Sequence, residues 1–530
     1  MKLEKKSLRE AEEWKKAGYE LPEYDLDIIQ ANTKKKPTWI HFGAGNIFRA
    51  FMAVAQQKLL NEKISDTGII VCEGYDSEII EKVYRKYDNL TIAVSMKQNG
   101  SMDKMVVGSV AESLLLKPET SDWLRLKEIF ENPALQMATF TITEKGYQIK
   151  NASGYLPQIK EDMQVGPEQA KSYMGCLTAL CYLRYLAGKL PLALVSMDNF
   201  SHNGDRLKMA VLTIAEVWEK NNLVEEGFSG YLQDETKISF PWSMIDKITP
   251  RPDSKIKEML ERTGLEGMDI FTTSANTYIA PFVNAEETEY LVIEDNFPNG
   301  RPKLEYAGIL FADRRTVECV EQMKVCTCLN PLHTGLAIFG CLLSYTSISK
   351  EMEDPLLREL AVQIGQEGMP VVVHPGILEP KQFLHEVLYV RLPNPYIPDT
   401  PQRIATDTSQ KLSIRYGETI KAYQKTGKSL EQLRAIPLVI AGWIRYLTGV
   451  DDFGNAMELS PDPRMTELRE KISDIAEKPE MVAGSILADA SVFGQDLSKT
   501  ELAEPVIGFL KEMLTGPHAV RKTLEKYLGQ

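Results

Sequence analysis

Thr38-Trp-Ile-His-Phe-Gly-Ala-Gly-Asn46, followed by Ile-Phe-Arg-Ala-Phe51, is the stretch on which the fold turns. Residues 38–42 read as a short buried strand and Gly43-Ala-Gly45 as a turn. Residues 47–60 then read as a helix with Phe48, Phe51, Val54, Leu59 and Leu60 on its apolar side. A strand that runs through two glycines into a helix begins a dinucleotide fingerprint. The glycines permit a tight turn and let a pyrophosphate approach backbone N–H groups at a helix start. The third glycine of that fingerprint is absent and Phe48 stands in its place, so the turn alone also fits a plain strand-to-helix connection.

The next apolar strand, residues 67–72, is followed by Glu73 and by Asp76. An acidic side chain there accepts the ribose hydroxyls of NAD and repels the 2′-phosphate of NADP, and either acid fits. Gly43, Gly45, Asn46, Glu73 and Asp76 are therefore candidate cofactor-binding residues, with NAD the expected cofactor. Further apolar strands at 106–110, 137–143 and 192–196 alternate with helical stretches. The expected class is α/β, with a Rossmann-type, doubly wound, mostly parallel sheet. Beyond residue 301 helical patterns dominate, at 313–327, 333–347, 355–367, 413–426, 429–447, 464–478 and 499–527. Proline-rich breaks such as Leu392-Pro-Asn-Pro-Tyr-Ile-Pro-Asp-Thr-Pro401 separate several of them. The expected organisation is a Rossmann-type domain over 1–300, opened by a polar amphipathic lead-in at 1–36, and a mostly helical domain over 301–530.

Hydrophobic residues make up 43% of the chain and charged ones 25%, ordinary for a soluble globular protein. The net charge of −13 argues against nucleic-acid binding. No apolar run approaches the ~20 residues of a membrane span, and the charged start carries no secretory signal. Seven cysteines, an odd number, fit reduced thiols in a cytoplasm. Cys319, Cys326, Cys328 and His333 raise the question of a metal, but the C-x-C pair has no matching second pair. Packed thiols and no metal are expected. Nothing in the composition implies a protein or membrane partner; a small molecule is the expected one.

The chemistry concentrates in Lys324-Val-Cys-Thr-Cys-Leu-Asn-Pro-Leu-His333. A desolvated amine flanked by a carboxamide and an imidazole can take the proton of a hydroxyl and hold the resulting carbonyl oxygen. Polar residues also cluster in Thr139-Phe-Thr-Ile-Thr-Glu-Lys-Gly-Tyr147, Ser196-Met-Asp-Asn-Phe-Ser-His-Asn-Gly204, Phe240-Pro-Trp-Ser-Met-Ile-Asp-Lys-Ile-Thr-Pro250 and Arg403-Ile-Ala-Thr-Asp-Thr-Ser-Gln-Lys411. Asp198, Asn199, His202 and Asn203 follow a buried-looking strand, where ligands bind in open α/β sheets.

Taken in this order, from about residue 37 to beyond 480, these segments resemble the long-chain polyol dehydrogenases, the group of mannitol 2-dehydrogenase, fructuronate reductase and tagaturonate reductase. The resemblance implies a Rossmann-type amino-terminal domain, a helical carboxy-terminal domain and NAD(P)-dependent, metal-free alcohol–ketone chemistry. It implies Lys324 as the catalytic base, Asn330 and His333 as groups that bind and polarise the reacting oxygen, and Asn199 as part of the oxyanion or substrate pocket. Asp246, Arg403 and Lys411 would contact substrate, Glu321 would help protons reach solvent, and Thr143 and Glu144 would lie near the nicotinamide.

The chain departs from the family in one respect. There the asparagine usually follows the lysine by five residues and the histidine by eight; here the offsets are six and nine. Nine residues of ideal helix turn through about 900°, which would set Lys324 and His333 on opposite sides. The expectation is therefore a π-bulge within 324–330, or a helix that starts near Asn330 with Pro331 in its first turn. The expected reaction is that of D-fructuronate and NADH giving D-mannonate and NAD. Mannitol 2-dehydrogenase, tagaturonate reductase and a catalytically silent sugar-acid or dinucleotide sensor are the alternatives.

Overall fold

In the computed structural model, which describes residues 1–529, Trp39–Phe42 is a strand, β1, with every residue buried. It joins β2 (Ile69–Glu73), β3 (Val110–Leu115), β4 (Met137–Phe140), β5 (Leu192–Ser196) and β6 (Ile238–Ser239) in a fully parallel sheet. The strand order is β6-β5-β4-β1-β2-β3, that of a doubly wound dinucleotide-binding sheet. Successive side chains of a strand face opposite ways, so Ile40 and Phe42 pack in one apolar layer and Trp39 in the other. Both faces are covered, which is why these strands read as near-continuous apolar runs. The order reverses between β1 and β4, and ligands of such sheets bind beyond the strand ends at that point.

Several expectations need correction. The run 106–110 belongs to two strands, Met102–Val107 and Val110–Leu115, parted at Gly108-Ser109. Met102–Val107 lies in a second, four-stranded sheet with Tyr19–Glu20, Thr91–Met96 and Phe282–Glu286, which the sequence reading missed. The first 36 residues are no simple lead-in: Tyr19–Glu20 pairs with Lys104 and Met105, and Trp14 is fully buried. The chain divides into compact units at 1–317 and 318–530, not at 300/301. Leu310–Ala312 still pairs with Tyr290–Glu294, and that pairing keeps residues beyond 300 in the first unit.

The second unit is helical. Helices Asn330–Leu342, Pro355–Gly368, Ala435–Tyr446 and Ala503–Met513 form its centre, and Ala435–Tyr446 is buried along its whole length. The stretch 499–527 is two helices, Ala503–Met513 and Ala519–Leu528, with Gly516 at φ +136° between them. Helical residues 314–342 are long and apolar enough to cross a membrane, contrary to expectation, but 78% of the apolar window is buried inside the protein. A core helix has that property.

Candidate active site

The loop after β1 is held from three sides. The N–H of Gly43 donates to the Cys72 carbonyl, the Ala44 N–H donates to Glu73 Oε2 at 2.9 Å, and the Tyr84 hydroxyl donates to the Ala44 carbonyl at 3.0 Å. Gly43 has φ +106°, and a Cβ there would stand 2.2 Å from the carbonyl oxygen of Thr141, so only glycine fits. At Gly45 a Cβ would meet nothing within 4 Å, which leaves that backbone open to a ligand. Phe48, in place of the third glycine, is fully buried, stacks on His41 at 4.3 Å and opens a π-turn, Phe48–Met52. Asn46 is tied to Arg49, whose Nη2 donates to Asn46 Oδ1 at 2.8 Å.

Of the two acids after β2, Glu73 also accepts the N–H groups of Tyr75 and Asp76 through Oε1. Asp76 caps the following helix at Glu78 and accepts the Thr273 hydroxyl, a structural use of its carboxylate. Glu73 adjoins the glycine loop; Asp76 is bound away from it.

The polar segments after β4 and β5 interlock. The Asp198 carboxylate accepts the N–H groups of Ile142 and Thr143 at 2.9 and 3.0 Å and the Tyr147 hydroxyl at 2.6 Å. Burial raises the Asp198 carboxyl above its ordinary range, against these three bonds. Thr143 is thereby held, exposed, at φ +64°, a strained setting for a β-branched residue. Asn203 Nδ2 donates to the carbonyls of Asp198 and Ser243 at 3.0 Å, and its Oδ1 accepts the Ser243 N–H. Asp198 and Asn203 are thus ties between segments. Asn199 is exposed beside them, Asp246 is buried at the end of Ser243–Asp246, and Glu144 pairs with Arg206 at 3.3 Å on the surface.

In the second unit the extra residue is accommodated by both devices expected from the count. Lys324–Cys328 is a π-turn, closed by the Leu329 N–H on the Lys324 carbonyl at 3.1 Å. Leu329 leaves helical geometry at φ −130°, and a new helix starts at Asn330 with Pro331 in its first turn. Lys324 is only 3% exposed, and burial of this kind disfavours the charged form of an amine. Asn330 and His333 share the first turn of their helix. Glu321, half-buried, lies a turn before Lys324. Burial pushes the thiols of Cys326 and Cys328 up to about 12, so both stay protonated.

Burial also lowers the half-buried His333 imidazole to about 4. Asp399 opposes that shift, and Arg391, Arg415 and Arg403 reinforce it. Arg403 pairs with Asp399. Lys411 Nζ donates to the Thr406 carbonyl, and its pKa is lowered by burial and by Arg415. The sequence reading passed over Arg391 and Arg415. Arg391 ends a π-turn, Val387–Arg391, and Arg415 stands in the middle of another, Ser413–Gly417. Three π-turns of this unit thus each carry a cation, Lys324 included. Nothing in the sequence announced Arg391, and the one signal for Arg415 was its spacing of four from Lys411.

Residues 37–306 match the mannitol dehydrogenase Rossmann domain and residues 316–514 the mannitol dehydrogenase C-terminal domain. A D-mannonate oxidoreductase of Thermotoga maritima is 53% identical, over 100% of this chain and 99% of that one. A D-mannonate oxidoreductase of Escherichia coli is 30% identical, over 89% and 93%. Among solved structures, Pseudomonas fluorescens mannitol 2-dehydrogenase in ternary complex with NAD and D-mannitol superposes with a TM-score of 0.71. It is 26% identical and covers 100% of both chains. With both halves matched in order on the expected fold, the chain belongs to the mannitol dehydrogenase family of oxidoreductases.

Proposed function

We propose that this chain is an NAD-dependent hexuronate reductase that interconverts D-fructuronate and D-mannonate. The observation that carries the reading is the 53% identity, end to end, to a D-mannonate oxidoreductase. The glycine loop suits a dinucleotide: Gly45 presents open backbone, and Glu73 lies beside the loop to accept ribose hydroxyls. Gly43, Gly45, Asn46 and Glu73 would hold NAD, with Thr143 and Glu144 toward its nicotinamide. NAD, when bound, supplies or accepts the hydride.

The chain's own residues move the proton. In reduction the Lys324 ammonium donates to the oxygen of the ketone; in oxidation the neutral amine takes the proton of the secondary hydroxyl. Asn330 donates from its carboxamide. His333, neutral above about pH 4, donates from one ring N–H without bringing a charge. Asn199, Asp246, Arg403 and Lys411 position the sugar, and Glu321 passes protons between Lys324 and solvent. The seven free cysteines suit a reducing compartment, for which we propose the cytoplasm.

The test is NADH consumption with D-fructuronate, D-tagaturonate and D-fructose at equal concentrations. Fructuronate should be turned over fastest. Faster turnover of fructose would favour a mannitol 2-dehydrogenase, and NADH binding without turnover of any of the three would favour a sensor.

A further inference from the structure

We propose that Arg415 is the anchor for the substrate carboxylate, and so the residue that selects a sugar acid over a neutral ketose. The assignment rests on the hexuronate reading above and adds the group that recognises the acid.

Arg415 is placed by two connections. Its backbone N–H donates to the Lys411 carbonyl at 3.0 Å, which stacks the two cations one turn apart. Its Nη1 donates to Thr334 Oγ1, and that hydroxyl donates to the Asn330 carbonyl at 3.0 Å. Arg415 is thereby fixed to the residue after His333, on the helix whose first turn carries Asn330 and His333. The turn Ser413–Gly417 also packs on the π-turn of Lys324. The guanidinium is therefore braced beside the groups proposed to hold the reacting oxygen.

The charges there do not balance. Asp399 is taken up by Arg403, and Asp407 and Asp462 offset part of the Lys411 charge without bonding to it, while no carboxylate of the described residues acts on Arg415. Among the described residues no carboxylate forms an ion pair with Arg415 or Lys411, and Thr334 engages just one of the five guanidinium donors. Like charges one turn apart repel, and a largely buried cation without a counter-ion carries a desolvation cost that no partner offsets. Burial lowers the Arg415 guanidinium to about 10, so it stays charged at neutral pH. A site held in this state is complementary to an anion. The free N–H groups of a planar fork match the two oxygens of a carboxylate, which a ketose lacks. A neutral ketose bound there would leave those donors unmatched, the kind of penalty that discriminates strongly between substrates.

The experiment compares wild type, Arg415→Met and Arg415→Lys on D-fructuronate and D-fructose, and reads the ratio of the two kcat/KM values. Charge-assisted bidentate bonds lead us to expect the ratio to fall ~100-fold in Arg415→Met, chiefly through KM for fructuronate. Arg415→Lys, which keeps the charge but loses the fork, should fall ~10-fold. NADH binding and thermal unfolding show whether each variant is folded, and if the methionine variant is not, the lysine variant gives the reading. A ratio within about twofold of wild type in a folded variant overturns the assignment of Arg415 while leaving the hexuronate reading intact. Wild type that turns over fructose but not fructuronate overturns the hexuronate reading, and the anchor with it.

Discussion

Lys324 is buried at the first position of a turn that a regular helix does not make, and the protein meets the cost of that setting at the residue proposed to carry the proton. Lys324→Ala should lower kcat ~10²- to 10⁴-fold, the usual contribution of a positioned acid–base group, while NADH binding is retained. Turnover close to wild type would remove the lysine from the mechanism. His333 makes a second prediction, about pH. Its imidazole is held to about 4 in the folded chain against an ordinary 6.5, so between those values the unfolded chain binds the extra proton. Stability is therefore undiminished above about 6.5 and falls as pH drops toward 4. His41, buried and lowered to about 3, acts in the same direction. Urea midpoints measured from pH 7 to 4 should decline, and His333→Gln should make that decline shallower.

The connection between β1 and its helix depends on Gly43. Gly43→Ala would set a methyl group 2.2 Å from the Thr141 carbonyl at a φ that disfavours it, so the loop must move off β4. We expect a loss of about 2 kcal/mol or more in chemical denaturation and weaker NADH binding. Asp198→Ala should loosen the segment from Thr141 to Tyr147 by leaving two N–H groups and a buried hydroxyl without their acceptor. Hydrogen exchange at Ile142 and Thr143 would rise, and protection equal to wild type would count against the tie. These local arrangements were largely legible in the sequence, because a strand, two glycines and a helix are close in the chain. So was the irregular backbone after Lys324: the family resemblance requires Lys324 and His333 to meet, and counting residues against 3.6 per turn shows that a regular helix would part them. The second sheet was not legible: Tyr19–Glu20 finds its partner at Lys104 and Met105, a pairing that no local pattern announces. Arg415 was hidden for another reason. One arginine in an amphipathic helical stretch looks like surface charge until the absence of a nearby carboxylate is seen.

Across the whole chain, all seven thiols are free, and six of them are raised by burial before any other influence, to about 12 at Cys176, Cys181, Cys326, Cys328 and Cys341 and well up at Cys72. A thiol-specific reagent at neutral pH should label the native protein slowly and at Cys319 first, and label all seven only after unfolding. Rapid native labelling at Cys326 or Cys328 would show the Lys324 turn to be open. The opening residues bear on how the protein is handled in the laboratory. The Met1 ammonium donates to the Gly264 carbonyl at 2.7 Å, Glu266 donates its N–H to Met1, and Leu3 and Trp14 are buried. Crystallographers often trim a charged amino-terminal stretch to improve diffraction. Here trimming to residue 37 would strip a strand from the second sheet and open the apolar hollow that Trp14 fills against Tyr87, Ile92, Leu260 and Phe282, so any shortening for crystallisation belongs elsewhere in the chain.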